Sequence, residues 1–234
     1  MLKCIRLKAY QTYANYKKPT AIDVGESYLL PAPSTVIGML HNVCGFKSYH
    51  PLKISIQGIH STLTKDLYTR YFFGTSYEPE RHQYKVRNLK GGYDGITRGL
   101  GNNILLIGVN LLIHILPEND EDFDVIFSKL KNPEIYPALG RYEDLLRIDE
   151  VSIVEIEPAS WAYLKYDAYI PVDMASEELT YPVHNLNKVY TLSQEDNTRV
   201  WQKIKCYQVK SDKMLSFKDG AYKEAHTDNG VFFI

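Results

Sequence analysis

The amino-acid pattern predicts an α+β protein: a ferredoxin-like core with an inserted arm and a β-rich C-terminal extension. Three observations predict it. Apolar periodicity over the first two-thirds follows the order β-α-β-β-α-β, which is that of the ferredoxin-like module. Two segments in that order carry a helical apolar stripe with start and stop signals. The last third reads as strands and turn clusters alone. The expected boundaries are 1–157 for the core, with 74–103 as the inserted arm, and 158–234 for an extension packed on the core as one unit.

The opening segment Leu2 to Ala9 alternates loosely with charge and reads as a strand. It places Lys3, Ile5 and Leu7 on one face and Cys4, Arg6 and Lys8 on the other. Tyr10 to Pro19 is polar and tyrosine-rich, a strand end running into a loop. Pro31 and Pro33 stop a helix from extending backwards, and Ser34 reads as its N-cap. Val36, Met39, Leu40 and Val43 form its apolar stripe, and Gly45 suits the C′ position.

Leu52, Ile54 and Ile56 alternate with Lys53, Ser55 and Gln57 in a second strand, and Asp66 to Phe73 is strand-like. Residues 74–103 lose regular pattern. Arg81 to Lys90 alternates enough for a hairpin arm, and Gly91 to Gly101 reads as a glycine-rich loop, the kind of long segment that is usually functional. Ile104 to Leu116 has the branched composition of a buried strand, while its periodicity alone is also compatible with a helix. Asp120 to Lys131 carries Phe123, Ile126, Phe127 and Leu130 on one helical face, with acids first and lysines last to match the macrodipole. Pro133 ends it. Val151 to Ile156, Ala162 to Val172 and Ile204 to Met214 are β-like.

The chain has 234 residues, 44% apolar and 24% charged, with a net charge of −1, so disorder is excluded and one substantial core is affordable in area. The longest apolar run, Ile104 to Leu116, is interrupted by Asn110 and His114 and falls short of the roughly 20 residues of a membrane span. No signal peptide is read. Cys4, Cys44 and Cys206 are too scattered for a disulfide framework, which favours a reducing, cytoplasmic setting. The neutral total hides an asymmetry. Residues 1–110 hold 14 Lys and Arg against 6 Asp and Glu, so the first half could meet a polyanion.

Motifs for catalysis are missing. There is no P-loop, no G-x-G-x-x-G, no C-x-x-C, no H-E-x-x-H and no G-x-S-x-G. The histidines (His41, His50, His60, His82, His114, His184, His226) are dispersed, so neither a metal nor a cofactor is expected. Paired acids in 118–157 read as solvated faces. Polyanion binding has more support. Lys17 and Lys18 lie beside Tyr10, Tyr13 and Tyr16, and Arg81, Lys85, Arg87 and Lys90 interleave with His82 and Tyr84. Cations neutralise phosphates while aromatic faces stack on unpaired bases, the chemistry of single-stranded nucleic-acid binding. The alternative is a solvated hairpin whose charges protect an edge strand.

The stretch Tyr28-Leu-Leu-Pro31-Ala-Pro33-Ser34-Thr35-Val36-Ile37-Gly38-Met39-Leu40 resembles the N-terminal motif of CRISPR-associated family five, the RAMP-type subunit of the Cascade surveillance complex. A later block, Tyr136-Pro-Ala-Leu-Gly140-Arg141, is similar to a second motif of that family. Spacing, tyrosine-rich loop and length resemble the type I-B branch, and the likeness spans most of 1–157. It implies an RRM-related core and a non-catalytic role in antiviral defence: capping the 5′ handle of crRNA at the foot of the backbone filament. The implied partners are that handle and the Cascade backbone and large subunits, with target DNA reached only through the complex and no membrane.

Residues placed on RNA by this resemblance and by the cation–aromatic pattern are Tyr13, Lys17, Lys18, Ser34, Thr35, Gly38, Arg81, Lys85, Arg87, Lys90 and Arg141. Ser34 and Thr35 would add hydroxyls to the helix N-terminal amides, and Gly38 would permit close approach, although packing on a strand explains that glycine equally well. Arg141 could instead pair with Glu143 or Asp144. In one subtype of the family this subunit is itself a metal-independent endoribonuclease using tyrosine, lysine and histidine. The candidates here would be Tyr84 and Lys85 with His82, or His41.

Overall fold

The computed structural model describes residues 1–21, 24–176, 179–225, 227 and 229–234; His226 lies outside them. Strand β1 (Leu2–Ala14) leads through the short strands β2 (Tyr16–Lys17), β3 (Val24–Gly25) and β4 (Ser27–Tyr28) to helix α1 (Pro33–Cys44). Next come β5 (Leu52–Ile59), β6 (Thr62–Ser76), β7 (Tyr84–Arg87) and β8 (Tyr93–Pro117). Helix α2 (Asp120–Lys131) and β9 (Arg147–Pro158) follow. The remainder is β10 (Trp161–Leu164), β11 (Asp167–Pro171), β12 (Val183–Leu192), β13 (Arg199–Val209), β14 (Lys213–Ser216), β15 (Ala221–Glu224) and β16 (Gly230–Phe232).

The main sheet runs β12-β13-β11-β5-β8-β1-β9-β15-β16. Its centre, β5-β8-β1-β9, is antiparallel throughout. Each β-α-β unit (β1-α1-β5 and β8-α2-β9) leaves one strand between its two ends, which is the split arrangement of the ferredoxin-like module. Both helices pack on one face. Ile5, Leu7, Ile54, Ile56, Ile113 and Ile115 meet Val36, Leu40, Ile126 and Leu130 there in one buried cluster. Burying each such aliphatic side chain contributes roughly 1.5–3 kcal/mol, so the periodic positions decide where the helices lie.

The opposite face is also covered, which alternation in β5 does not foretell. Ser55 and Gln57 are buried because the C-terminal strand crosses them. Gln57 Nε2 donates to Gly230 O (2.7 Å), and the Phe232 amide donates to Ser55 Oγ (2.9 Å). Hydrogen bonding offsets the cost of burying these polar groups.

Several expectations need correction. The N-cap of α1 is Ala32, with Pro33 in the first turn, and no side chain caps the helix. Gly45 does take the left-handed C′ conformation (φ 73°). The polar stretch after Ala9 continues β1 to Ala14. Gly91 to Gly101 is no loop beyond its first turn, since β8 starts at Tyr93 and runs for 25 residues. Ala162 to Val172 divides into β10 and β11, which belong to different sheets. Ile204 to Met214 likewise divides between β13 and β14. Strand β12 was not foreseen, because a bulge between Asn187 and Val189 breaks its alternation. Among the described residues no helix is long and apolar enough to cross a membrane.

Candidate nucleic-acid interface

The outer half of β8 pairs with β6 along one edge and, near its tip, with β7 along the other, making a ribbon that extends from the core. Cross-strand partners share a face, so the register sorts the side chains. On one face Tyr68 lies opposite Gly101, Arg70 opposite Gly99, Phe72 opposite Thr97, Lys85 opposite Gly95 and Arg87 opposite Tyr93. This face carries three cations and three aromatic rings over a floor of glycines. The other face holds Leu67, Tyr71, Tyr84, Val86 and Leu100, all exposed, with the exposed Arg98 opposite Tyr71.

The glycines belong to the strand because rings occupy the space their side chains would fill. A Cβ on Gly101 would lie 2.8 Å from the Tyr68 ring, and one on Gly95 only 2.3 Å from His82. Lys85 Nζ lies 4.8 Å from the Tyr93 ring centroid, and Arg70 lies 4.9 Å from that of Phe72. Among the described residues Arg81, Lys85, Arg87 and Lys90 form no ion pair. Arg81 precedes β7 and Lys90 lies in the turn after it. The expected residues omitted Tyr68, Arg70, Phe72 and Tyr93, although Tyr-x-Arg-x-Phe at period two marks one strand face.

Tyr13 and Lys17 stand at the root of the ribbon. Tyr13 is exposed and pairs with Ile107, which β6 meets from the other side at Thr62. Lys17 is exposed, whereas Lys18 pairs with Glu26 at 3.2 Å. This region is held by a buried polar network. Gln11 Nε2 donates to the carbonyls of Leu139 and Asp144, and the Tyr16 hydroxyl donates to Gln11 Oε1 (2.6 Å). The Asp144 carboxylate accepts from the amides of Asn15 and Arg141, both at 2.9 Å. Burial first, and then the Asp144 charge, pushes the Tyr16 phenol above its usual range.

Arg141 belongs to this network. Its guanidinium pairs with Asp144 at 2.7 Å and Glu143 at 2.9 Å, and the Asp144 hydrogen bond raises its pKa further. Gly140 adopts φ 111° with the Asn15 carbonyl 2.9 Å from where a Cβ would stand. The Tyr-Pro-x-Leu-Gly-Arg block therefore latches the 136–146 segment to the end of β1.

Ser34 and Gly38 lie elsewhere, lining a groove between α1 and β12–β13. Thr35 N already donates to Ala32 O, and Pro33 has no N–H, so the helix N-terminus offers little of the expected amide array. Among the described residues nothing lies within 4 Å of a Cβ built on Gly38, so strand packing is not its reason.

The two histidine candidates are committed. His82 is buried, with Nδ1 accepting from the Glu78 amide and Nε2 bonded to Thr75 Oγ1. His41 Nδ1 bonds to Ile37 O, and Nε2 accepts from the His50 amide; burial lowers its pKa, so it is held neutral. Tyr84 and Lys85 are neighbours on opposite faces of β7. No described group of His, Cys, Asp and Glu could hold a metal.

A family model, Cas_Cas5d, described as "CRISPR-associated protein (Cas_Cas5)", matches residues 4–210. No curated protein matches the sequence. A chain of a "CRISPR RNA-guided surveillance complex" is similar in fold, at TM-score 0.55 and 17% identity, with 89% of this chain and 90% of that chain covered. A CRISPR protein from Archaeoglobus fulgidus is 7% identical at TM-score 0.49, with 98% of each chain covered. The family match spans far more than half of the sequence, and the chain belongs to the CRISPR-associated Cas5 family.

Proposed function

We propose that this protein is a non-catalytic Cascade subunit that binds and caps the 5′ handle of crRNA and nucleates the backbone subunits in antiviral defence. The division of the ribbon into two faces carries the reading. Arg70, Lys85 and Arg87, interleaved with Tyr68, Phe72 and Tyr93, meet the needs of an unpaired strand, namely phosphate neutralisation and base stacking. Tyr13 and Lys17 extend this chemistry to the ribbon's root, and Arg81 and Lys90 to its far end. The opposite face, apolar around Arg98, would take a backbone subunit. Membership of the Cas5 family supports the assembly, as does the fold likeness to a chain of a surveillance complex. Large-subunit contacts, target DNA reached through the complex, a cytoplasmic setting and a type I-B-like branch belong to the same proposal, the last resting on sequence motifs and length.

The test is binding of handle RNA across a salt series. Lys85→Ala with Arg87→Ala should lower affinity and reduce the slope of log K against log salt by about 1.4, at about 0.7 per lost phosphate contact. An unchanged slope, or no preference for the handle over unrelated RNA, would sink the capping role. Metal-independent cleavage of repeat-containing precursor RNA would overturn the non-catalytic part.

A further inference from the structure

The groove beside α1 has a chemistry that the ribbon does not share. It has a volume of about 430 Å³, and none of its lining side chains is acidic among the described residues. One wall is the outer face of α1, with Ile37 and Gly38; the other is the β12–β13 hairpin, with Val189, Leu192 and Trp201. Lys47 and Lys188 supply the only formal cations on the lining.

Three observations ask for an occupant. Glycine is a poor residue for a helix interior, yet Gly38 has helical backbone, is exposed and has no neighbour within 4 Å of a Cβ. No described residue requires its lack of a side chain, and that lack keeps the groove floor open. Lys188 is the extra residue at the β12 bulge, a device that re-aims a side chain. It is half-buried and makes no ion pair among the described residues; burial and then the Lys53 charge lower its pKa, with the Glu118 charge acting the other way. A desolvated amine of this kind favours an incoming anion. The hairpin also exposes Tyr190, Leu192 and Val200 beside the groove, so the apolar surface continues past its mouth.

The details favour a protein segment over RNA. On the α1 side the lining rings are already stacked, Tyr49 on His41 at 4° between planes and Phe46 on His50 at 9°, while Tyr190 and Trp201 on the hairpin meet edge to face at 61°. Much of the remaining wall is aliphatic. Two lysines suit one or two carboxylates, whereas a nucleotide strand needs a track of cations. The groove also lies at the end of the sheet away from the ribbon. Phe46 to Tyr49 lead into Leu52, which pairs with Pro117, while the ribbon leaves the sheet at Ile107.

We infer that this groove docks a short acidic segment of a protein partner, with an apolar or aromatic side chain over Gly38 and a carboxylate against Lys188 and Lys47. The inference rests on the proposed assembly only for the choice of probe. Labelled peptides tiled across the other protein subunits of the complex are titrated with the full chain by fluorescence polarisation, with oligouridylate as competitor. One acidic, apolar-anchored peptide should bind, and Gly38→Leu and Lys188→Gln should each weaken it at least about tenfold. Melting temperature should not fall in either variant, and handle-RNA binding should stay unchanged in Lys188→Gln. Should Gly38→Leu lower the melting temperature, Lys188→Gln alone decides.

The inference is overturned if no tiled peptide binds in a Lys188-sensitive way, or if oligouridylate displaces the peptide from the groove. Failure of the assembly reading shows separately, as loss of handle binding that the Lys85 and Arg87 variants no longer modulate.

Discussion

At the residue scale, the most constrained group is the Asp144 carboxylate. It is buried and answers the Asn15 amide, the Arg141 amide and the Arg141 guanidinium together. Asp144→Ala would leave two amides without their acceptor and the Arg141 guanidinium with Glu143 alone, and should cost about 3 kcal/mol or more in chemical denaturation. Arg141→Ala should likewise act mainly on stability, with a small effect on RNA affinity in the surviving fold. Gly38→Ala points the other way, with an expected gain of about 0.5–1 kcal/mol because the helix improves and nothing is displaced. The Leu-Gly-Arg block was legible as special in the sequence. Its purpose was not, since Asn15 and Gln11 are more than a hundred residues away from their partners.

At the element scale, the ribbon shows why composition misleads. Gly95, Gly99 and Gly101 looked like loop residues because glycine weakens an isolated strand. Cross-strand rings from Tyr68, Phe72 and His82 fill the space instead, so each glycine is a packing partner. Gly101→Val should therefore push Tyr68 away and weaken handle binding with little change in melting temperature, read by titration beside a thermal melt. On the opposite face, Val86→Asp with Leu100→Asp should leave handle binding intact and impair assembly with the backbone subunit, seen by size-exclusion chromatography. Both helices were legible from the stripe at 3.6 residues per turn, and α2 keeps its expected ends of Asp120 and Lys131. Strand β12 was hidden by its bulge, a two-strand feature that one strand's pattern cannot announce.

At the scale of the whole molecule, the charge asymmetry is partly consumed by folding. Arg6 and Lys8 of the basic half bind Glu150 and Glu224 of the acidic half, joining β1 to β9 and β15. Burial alone would raise the Glu224 pKa, but the hydrogen bond from His114 and the Arg6 charge hold it below the usual value. Hydrogen bonds from Lys8, Arg6 and Ser152 bring Glu150 down to about 2, and burial lowers His114 from 6.5. All three folded pKa values lie below their unfolded ones, so each contribution is complete above the unfolded pKa and is lost on acidification. Stability in urea titrations should start to fall below about pH 6.5 and fall further between about 4.5 and 2. Glu224→Gln should cost about 2 kcal/mol at neutral pH and flatten that slope. The sequence by itself determined the class of fold, the two helices, the central strands and the family, because apolar period and short motifs are local properties. Only the tertiary structure decided that both faces of the central sheet are covered, that Arg141 serves a latch, and that the arm gathers Arg70, Lys85 and Arg87 with three rings on one face and apolar side chains around Arg98 on the other. Those outcomes depend on which strands become neighbours and in what register, and a register shift of one residue would exchange the two faces.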